Sequence, residues 1–156
     1  MKLPFETVLC ATDLSPLGNL AVDVGYRLLA DGGVLHLLYV DAPPKLGNPL
    51  YPDERPKGAP TEAELASHRA DLRSRLHALI PAAAASRSVR TEIDLVEDEE
   101  VALTIEAEAK RRGAEVVVLS SHGRWGLSSL VHRESVAIRL LHRRALDVVV
   151  VHTDRA

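Results

Sequence analysis

Cysteine is nearly absent: Cys10 is the only one among 156 residues, so no internal disulfide can form and zinc sites built on cysteine pairs are excluded. Aromatic residues are almost as scarce, at one Phe, one Trp and three Tyr. The core must therefore be made of Leu, Val, Ile and Ala, and a platform of rings for stacking bases has no material. Charge of one sign is missing too. A formal net charge of -3 supplies no broad positive field, which argues against nucleic acid and anionic membrane surfaces as partners. The opening "MKLPFETVLC" contains no apolar run long enough for a signal peptide or membrane helix, and the expected location is cytoplasmic.

What remains is ample apolar content, 46% of the chain, in the length of one domain, read here as residues 1–156. Short β-rich runs alternate with longer stretches of helical period, the pattern of a parallel sheet covered by helices. Residues 6–13, "ETVLCATD", form the first strand. Ser15-Pro16 then supplies an N-cap and first helical position for a helix facing inward through Leu17, Leu20, Ala21, Val24 and Leu28. Gly32-Gly33 is expected to end that helix, and 34–40 form the second strand. Residues 41–60 hold six of the nine prolines and read as a variable loop. Thr61 with Glu64 forms a capping-box pattern for a helix turning Leu65, Leu72, Leu76 and Leu79 inward. A third strand is expected at 88–96, and the acidic residues 97–100 suit the start of a helix closed by Arg111, Arg112 and Gly113. The fourth strand is placed at 114–120, the fourth helix at 128–144 and the last strand at 146–152. Right-handed crossovers then give a doubly wound α/β sandwich with helices on both faces.

In such sheets ligands collect at the carboxyl ends of the strands, where the winding direction switches. That places Asp13 and Ser15 beside the turn at 120–129. Gly123 and Gly126 there let a backbone approach an anion, and the following helix points its amides at it. Other chemistry has weaker support. The seven histidines are scattered without a close pair on one helical face. Cys10 lies in an apolar strand as an inert thiol, and no Gly-x-Ser-x-Gly elbow occurs. No catalytic residue and no metal ligand is assigned. A phosphorelay receiver would need a lysine ending strand 5, where this chain reads "VVHT".

The segments "VLCATDLS", "HLLYVDAP" at 36–43, "AEVVVLSSHGRWGLSSL" at 114–130 and "SVAIRLLHRRALDVVVVH" at 135–152 together resemble a universal stress protein of the UspA superfamily. The resemblance implies a flavodoxin-like α/β fold with five parallel strands in the order 3-2-1-4-5. It also implies a homodimer joined through the last strand, here Val148, Val149, Val150 and Val151. As an edge strand, this valine run would expose unpaired backbone groups that a two-fold copy covers.

In members that bind ATP, the resemblance places Asp13 near ribose and metal-bound phosphate, the Val40 backbone at adenine, and Ser121 and Gly123 at the phosphates with Arg124 in reach. Ser15, first of all an N-cap, Gly126, taken from the turn itself, and Ser135, in a register with one inserted residue, complete the candidate site. ATP with Mg is the implied ligand. The family pattern is Gly, two residues, Gly, nine residues, then Gly with Ser or Thr. Here Ser120 replaces the first glycine, and Arg133 and Glu134 stand where Gly and Ser belong. One inserted residue recovers the hydroxyl of Ser135 but puts Glu134 at the glycine position. Two like charges about 4 Å apart repel by roughly 4 kcal/mol at an effective dielectric of 20, close to a thousandfold in affinity. The expected function is a non-catalytic regulatory module with a degraded ATP site. The alternatives are a slow ATP hydrolase or phosphotransferase, which needs a cationic clamp, and an interaction dimer that holds no nucleotide.

Overall fold

A computed structural model describes residues 3–41, 60–121 and 136–152. Ten elements follow in order: β1 (Phe5–Ala11), α1 (Pro16–Leu28), β2 (Leu29–Asp41), α2 (Glu62–His77), α3 (Ala83–Ser86), β3 (Arg90–Glu97), α4 (Val101–Arg112), β4 (Val116–Ser120), α5 (Val136–Arg143) and β5 (Asp147–Val151). The strands form one parallel sheet in the order β3-β2-β1-β4-β5, the expected flavodoxin-like arrangement. Each face of the sheet carries its own apolar layer. On one face Val8, Cys10, Leu35 and Leu37 pack against Val22 and Tyr26 of α1 and Leu72 and Leu76 of α2. On the other, Leu9, Leu38, Val117 and Leu119 pack against Ile105 and Ala109 of α4 and Ala137 and Leu140 of α5. Residues 8–10 of β1 and 116–119 of β4 are buried on both faces, which is why these stretches read as unbroken apolar runs rather than as alternating ones.

Local signals placed the starts of α1 and α2 and the end of α4. Ser15 caps α1 by accepting from the Gly18 amide, with Pro16 at the first helical position. Thr61 and Glu64 make both bonds of the capping box on α2: the Glu64 amide donates to Thr61 Oγ1 at 3.2 Å, and the Thr61 amide donates to Glu64 Oε2 at 2.6 Å. Gly113, at φ 66°, closes α4.

Several expectations are corrected. β1 ends at Ala11, so Asp13 lies in the turn and not in the strand. α1 ends at Leu28, and Gly32-Gly33 fall inside β2, which starts five residues early at Leu29. The pairing of β1 with β2 jumps from Phe5↔Leu29 to Thr7↔Val34, and the glycines take up that irregularity. The inner face of α1 is also rotated. Gly18, Ala21, Val22, Gly25 and Tyr26 are buried, while Leu20 faces out. Side-chain size misled there, because the helix lies so close to the sheet that Gly18, Ala21 and Gly25 share its contact stripe with Val22 and Tyr26. Leu65 is likewise exposed, and α2 is anchored through Leu72 and Leu76. A short fifth helix, α3, was not foreseen. Of the acidic run, Glu97 belongs to β3 and Glu100 is the N-cap residue of α4 without a side-chain cap bond; Asp98 Oδ1 instead accepts from the Glu100 amide at 2.8 Å.

The proline-rich stretch over 42–59 and the first half of the expected fourth helix lie outside the described residues. Among the described residues, no helix is long and apolar enough to cross a membrane.

Candidate functional site

The switch in winding direction falls between β1 and β4, and a cavity of about 410 Å³ opens there. Its floor is the carboxyl ends of β1, β2 and β4, contributing Ala11, Leu38 and Leu119. Its walls come from α4 and α5, contributing Val101 and Ile105 from one and Val136 and Ala137 from the other. Thr12, Asp13, Ser120 and Ser121 form a polar rim. An apolar slot with a few convergent polar groups is the usual construction of a small-molecule site.

The rim at Asp13 is held by its own turn. The Ser15 amide and hydroxyl both donate to Asp13 Oδ1, at 2.9 and 2.5 Å. Thr12 Oγ1 accepts from the Leu14 amide at 3.0 Å and donates to Asn19 Oδ1 at 3.1 Å. Leu14 between them is buried and sits at φ 61°, a left-handed conformation that costs a non-glycine residue about 1–2 kcal/mol. Burial and the Thr12 bond sustain it, and strain of this kind gathers where a turn must aim a functional group. Asp13 is thus fixed through Oδ1, and Oδ2 has no hydrogen-bond partner among the described residues.

A second rim is built from backbone. β2 pairs with β1 only as far as Ala11↔Leu38, but with β3 as far as Asp41↔Glu97. The Leu38 carbonyl accepts from the Thr12 amide on the β1 side, while the Asp41 carbonyl accepts from the Asp98 amide on the β3 side. Because peptide groups alternate in direction along a strand, the amide and carbonyl of Val40 point toward the β1 side, past the end of β1. They face the cavity where a neighbouring strand would otherwise be.

The sequence-derived site residues therefore separate. Asp13, Val40 and Ser121 come together around one cavity. Ser15 stands one step behind the lining, its hydroxyl committed to Asp13 and to the Gly18 amide. The Ser121 amide donates to the Val151 carbonyl at 3.1 Å, so its hydroxyl is the group left to offer. Gly123, Arg124, Gly126 and Ser135 lie outside the described residues, as do Trp125, Arg133 and Glu134. Sequence reasoning missed Thr12, whose hydroxyl reads as a common strand end. It also missed the apolar lining, since Val101, Ile105, Val136 and Ala137 look like any other core positions before the sheet order is known.

The remaining titratable groups take structural places. Burial pushes the Cys10 thiol far above its ordinary range, so it stays protonated and unreactive. His36 is buried on β2 between Glu92 at 3.5 Å and Asp94 at 3.4 Å, carboxylates that also pair with Arg112 of α4. Among the described residues, no group of three or more His, Cys, Asp or Glu could hold a metal ion.

Glu106 of α4 is buried yet ionised: Arg143 of α5 and Lys110 hold its carboxyl down to about 2. A depressed carboxylate stabilises the fold fully above its unfolded value near 4.5 and loses that contribution as pH falls through about 2. Acid unfolding followed by circular dichroism should therefore show Glu106→Gln losing most of its deficit against the parent chain below pH 3. A deficit that does not change between pH 7 and pH 2 would contradict the assignment.

Comparison with known proteins agrees with this architecture. The sequence model of the universal stress protein family matches residues 4–152. Among solved structures, a universal stress family protein from Burkholderia pseudomallei is 24% identical, with a TM-score of 0.62 over 97% of this chain and 98% of its own. The hypothetical protein MJ0577, the subject of a structure-based assignment of biochemical function, is 15% identical, with a TM-score of 0.72 over 99% of this chain and all of its own. A universal stress protein solved in complex with cAMP is 22% identical, with a TM-score of 0.59 over 97% of this chain and 99% of its own. No curated protein sequence matches the chain.

Proposed function

The chain belongs to the universal stress protein family, and from that premise we propose that it is a non-catalytic, cytoplasmic binding module that takes an adenine nucleotide into the cavity between β1 and β4. The observation that carries this reading is the amide and the carbonyl of Val40, both turned to the β1 side past the end of β1. They offer one donor and one acceptor side by side at the mouth of an apolar slot, a match for the edge of a flat heteroaromatic ring. Asp13, also in the lining, is bonded through Oδ1 among the described residues, which leaves Oδ2 for sugar hydroxyls or a metal bound to phosphate. The relative crystallised with cAMP supports the ligand class.

The non-catalytic reading rests on the sequence, in which Asp13 and Arg124 are the candidates for phosphoryl transfer. Phosphoryl transfer needs cationic groups to neutralise the transferring phosphate, and among the described lining residues Asp13 is the sole charged one. The expected ligand is ATP with Mg, bound as a signal or structural element.

Isothermal titration with Mg-ATP, on protein first shown by released-nucleotide absorbance to be empty, tests the reading. Micromolar binding is expected, weakened about tenfold or more by Asp13→Ala, the loss of one charge-assisted hydrogen bond or more. An empty protein that gives no heat with Mg-ATP, ADP or cAMP would refute it.

The same proposal includes a homodimer through β5. This strand lies at the edge of the sheet, bonded to β4 on one side, and its four valines, Val148–Val151, are only half-buried in the single chain. Pairing with a second copy would complete the edge and the valine layer. Sedimentation at tens of micromolar should give twice the 17.0 kDa chain mass; a monomer there would defeat the dimer.

A further inference from the structure

The two helical walls of the cavity are tied to each other by charge. α5 is short, with Ala137 and Leu140 buried beneath it, and its Arg139 and Arg143 stand one turn apart. Arg139 Nη2 reaches Glu100 at the start of α4 at 2.8 Å, and Arg143 Nε pairs with Glu106 in the next turn of α4. Glu106 also accepts from Lys110 on its own helix at 2.6 Å. The outer pair is solvent-exposed and contributes little. The inner one is different, because the Glu106 carboxylate is only 8% exposed and immediately follows Ile105, a wall residue of the cavity.

A buried carboxylate must be paired to be tolerated, and moving α5 away from α4 would take from Glu106 the one of its two partners that crosses between the helices, leaving Lys110 alone. Val136 and Ala137, the opposite wall, lie just before the two arginines on α5. We propose that Glu106 is a positioning residue for the cavity: through Arg143 it fixes the distance between α4 and α5, and with it the width of the slot the ligand enters. Lys110 gives Glu106 a second cation without spanning the gap. The effect of Glu106 on ligand affinity rests on the adenine-nucleotide reading, whereas its effect on the wall does not.

The two partners of Glu106 separate positioning from general stabilisation, since one crosses between helices and the other stays within α4. Methyl-labelled protein reports Val136, Ala137 and Ile105 directly, and the same samples are titrated with Mg-ATP. Arg143→Ala is expected to shift the Val136 and Ala137 methyl signals and to weaken Mg-ATP binding roughly tenfold. Lys110→Ala should leave both near the parent chain, and Arg143→Lys, which keeps a cation in reach, should restore most of each.

Equal effects of Arg143→Ala and Lys110→Ala, or wall methyls that stay in place in Arg143→Ala, would overturn the proposal. If the parent chain binds no Mg-ATP, the ligand reading fails alone, and the methyl shifts still decide whether Glu106 and Arg143 set the wall.

Discussion

Gly25→Ala should lower the stability of this protein by about 2–3 kcal/mol, although alanine is the better helix former. A Cβ at position 25 would stand 2.1 Å from the Cys10 Sγ and 3.3 Å from a Leu35 methyl, both fully buried. The thiol sits on a central strand with Val8 and Leu35 around it, so neither it nor the helix has room to withdraw. Alanine regains roughly 1 kcal/mol over glycine in a helix interior, which only partly offsets the clash. For a chain of this size, the melting temperature should fall by about 5–10 °C.

The cause can be checked with a second substitution. Cys10→Ala removes the sulfur that the new methyl meets, so the double variant should melt well above Gly25→Ala alone, a coupling visible in a double-mutant cycle. A Gly25→Ala protein that melts at or above the parent temperature would show that α1 does not lie this close to the sheet.

The second large effect concerns the ligand. Ala11→Phe is expected to reduce adenine-nucleotide binding by more than about a hundredfold while leaving the melting temperature within a few degrees. Ala11 is the last residue of β1 and half-buried, and it lies on the sheet face that α4 and α5 cover, in the floor of the cavity. A phenyl group there enters open apolar space between Leu38, Ile105 and Leu119 and occupies the volume the ligand needs. The polar rim is untouched. Titration calorimetry beside a thermal melt separates the outcomes. Binding retained at parent strength would move the ligand out of this slot, even if Asp13→Ala still weakened it.

These two variants also mark the boundary between what a sequence discloses and what it conceals. The number of strands, their order in the chain and the capped helix starts at Ser15 and Thr61 were legible, because each follows from neighbours a few residues apart. The inner face of α1 was not. Apolar periodicity turned Leu17, Leu20, Ala21, Val24 and Leu28 inward; the structure keeps Ala21, Val24 and Leu28 on the core side, turns Leu20 out and adds Gly18 and Gly25, since the distance between helix and sheet decides which side chains fit. Asp13 and Val40 could be named from family resemblance. That Val40 turns its amide and carbonyl to the cavity depends on β1 ending three residues short of β2, a matter of register between strands. Glu106 gave no signal at all, being one acid in a run of charged helix residues until α5 packs over it.

The sequence alone carries the alternation of strands and helices and rules out an internal disulfide, and, set against the family's glycine pattern, it shows the departure at Ser120, Arg133 and Glu134. All of these are properties of composition or of local spacing. The tertiary structure decided which strand ends meet, how wide the slot between α4 and α5 stands, and which carboxylate is buried between them. Those depend on contacts between residues far apart in the chain, whose energies exist only once the sheet has brought them together.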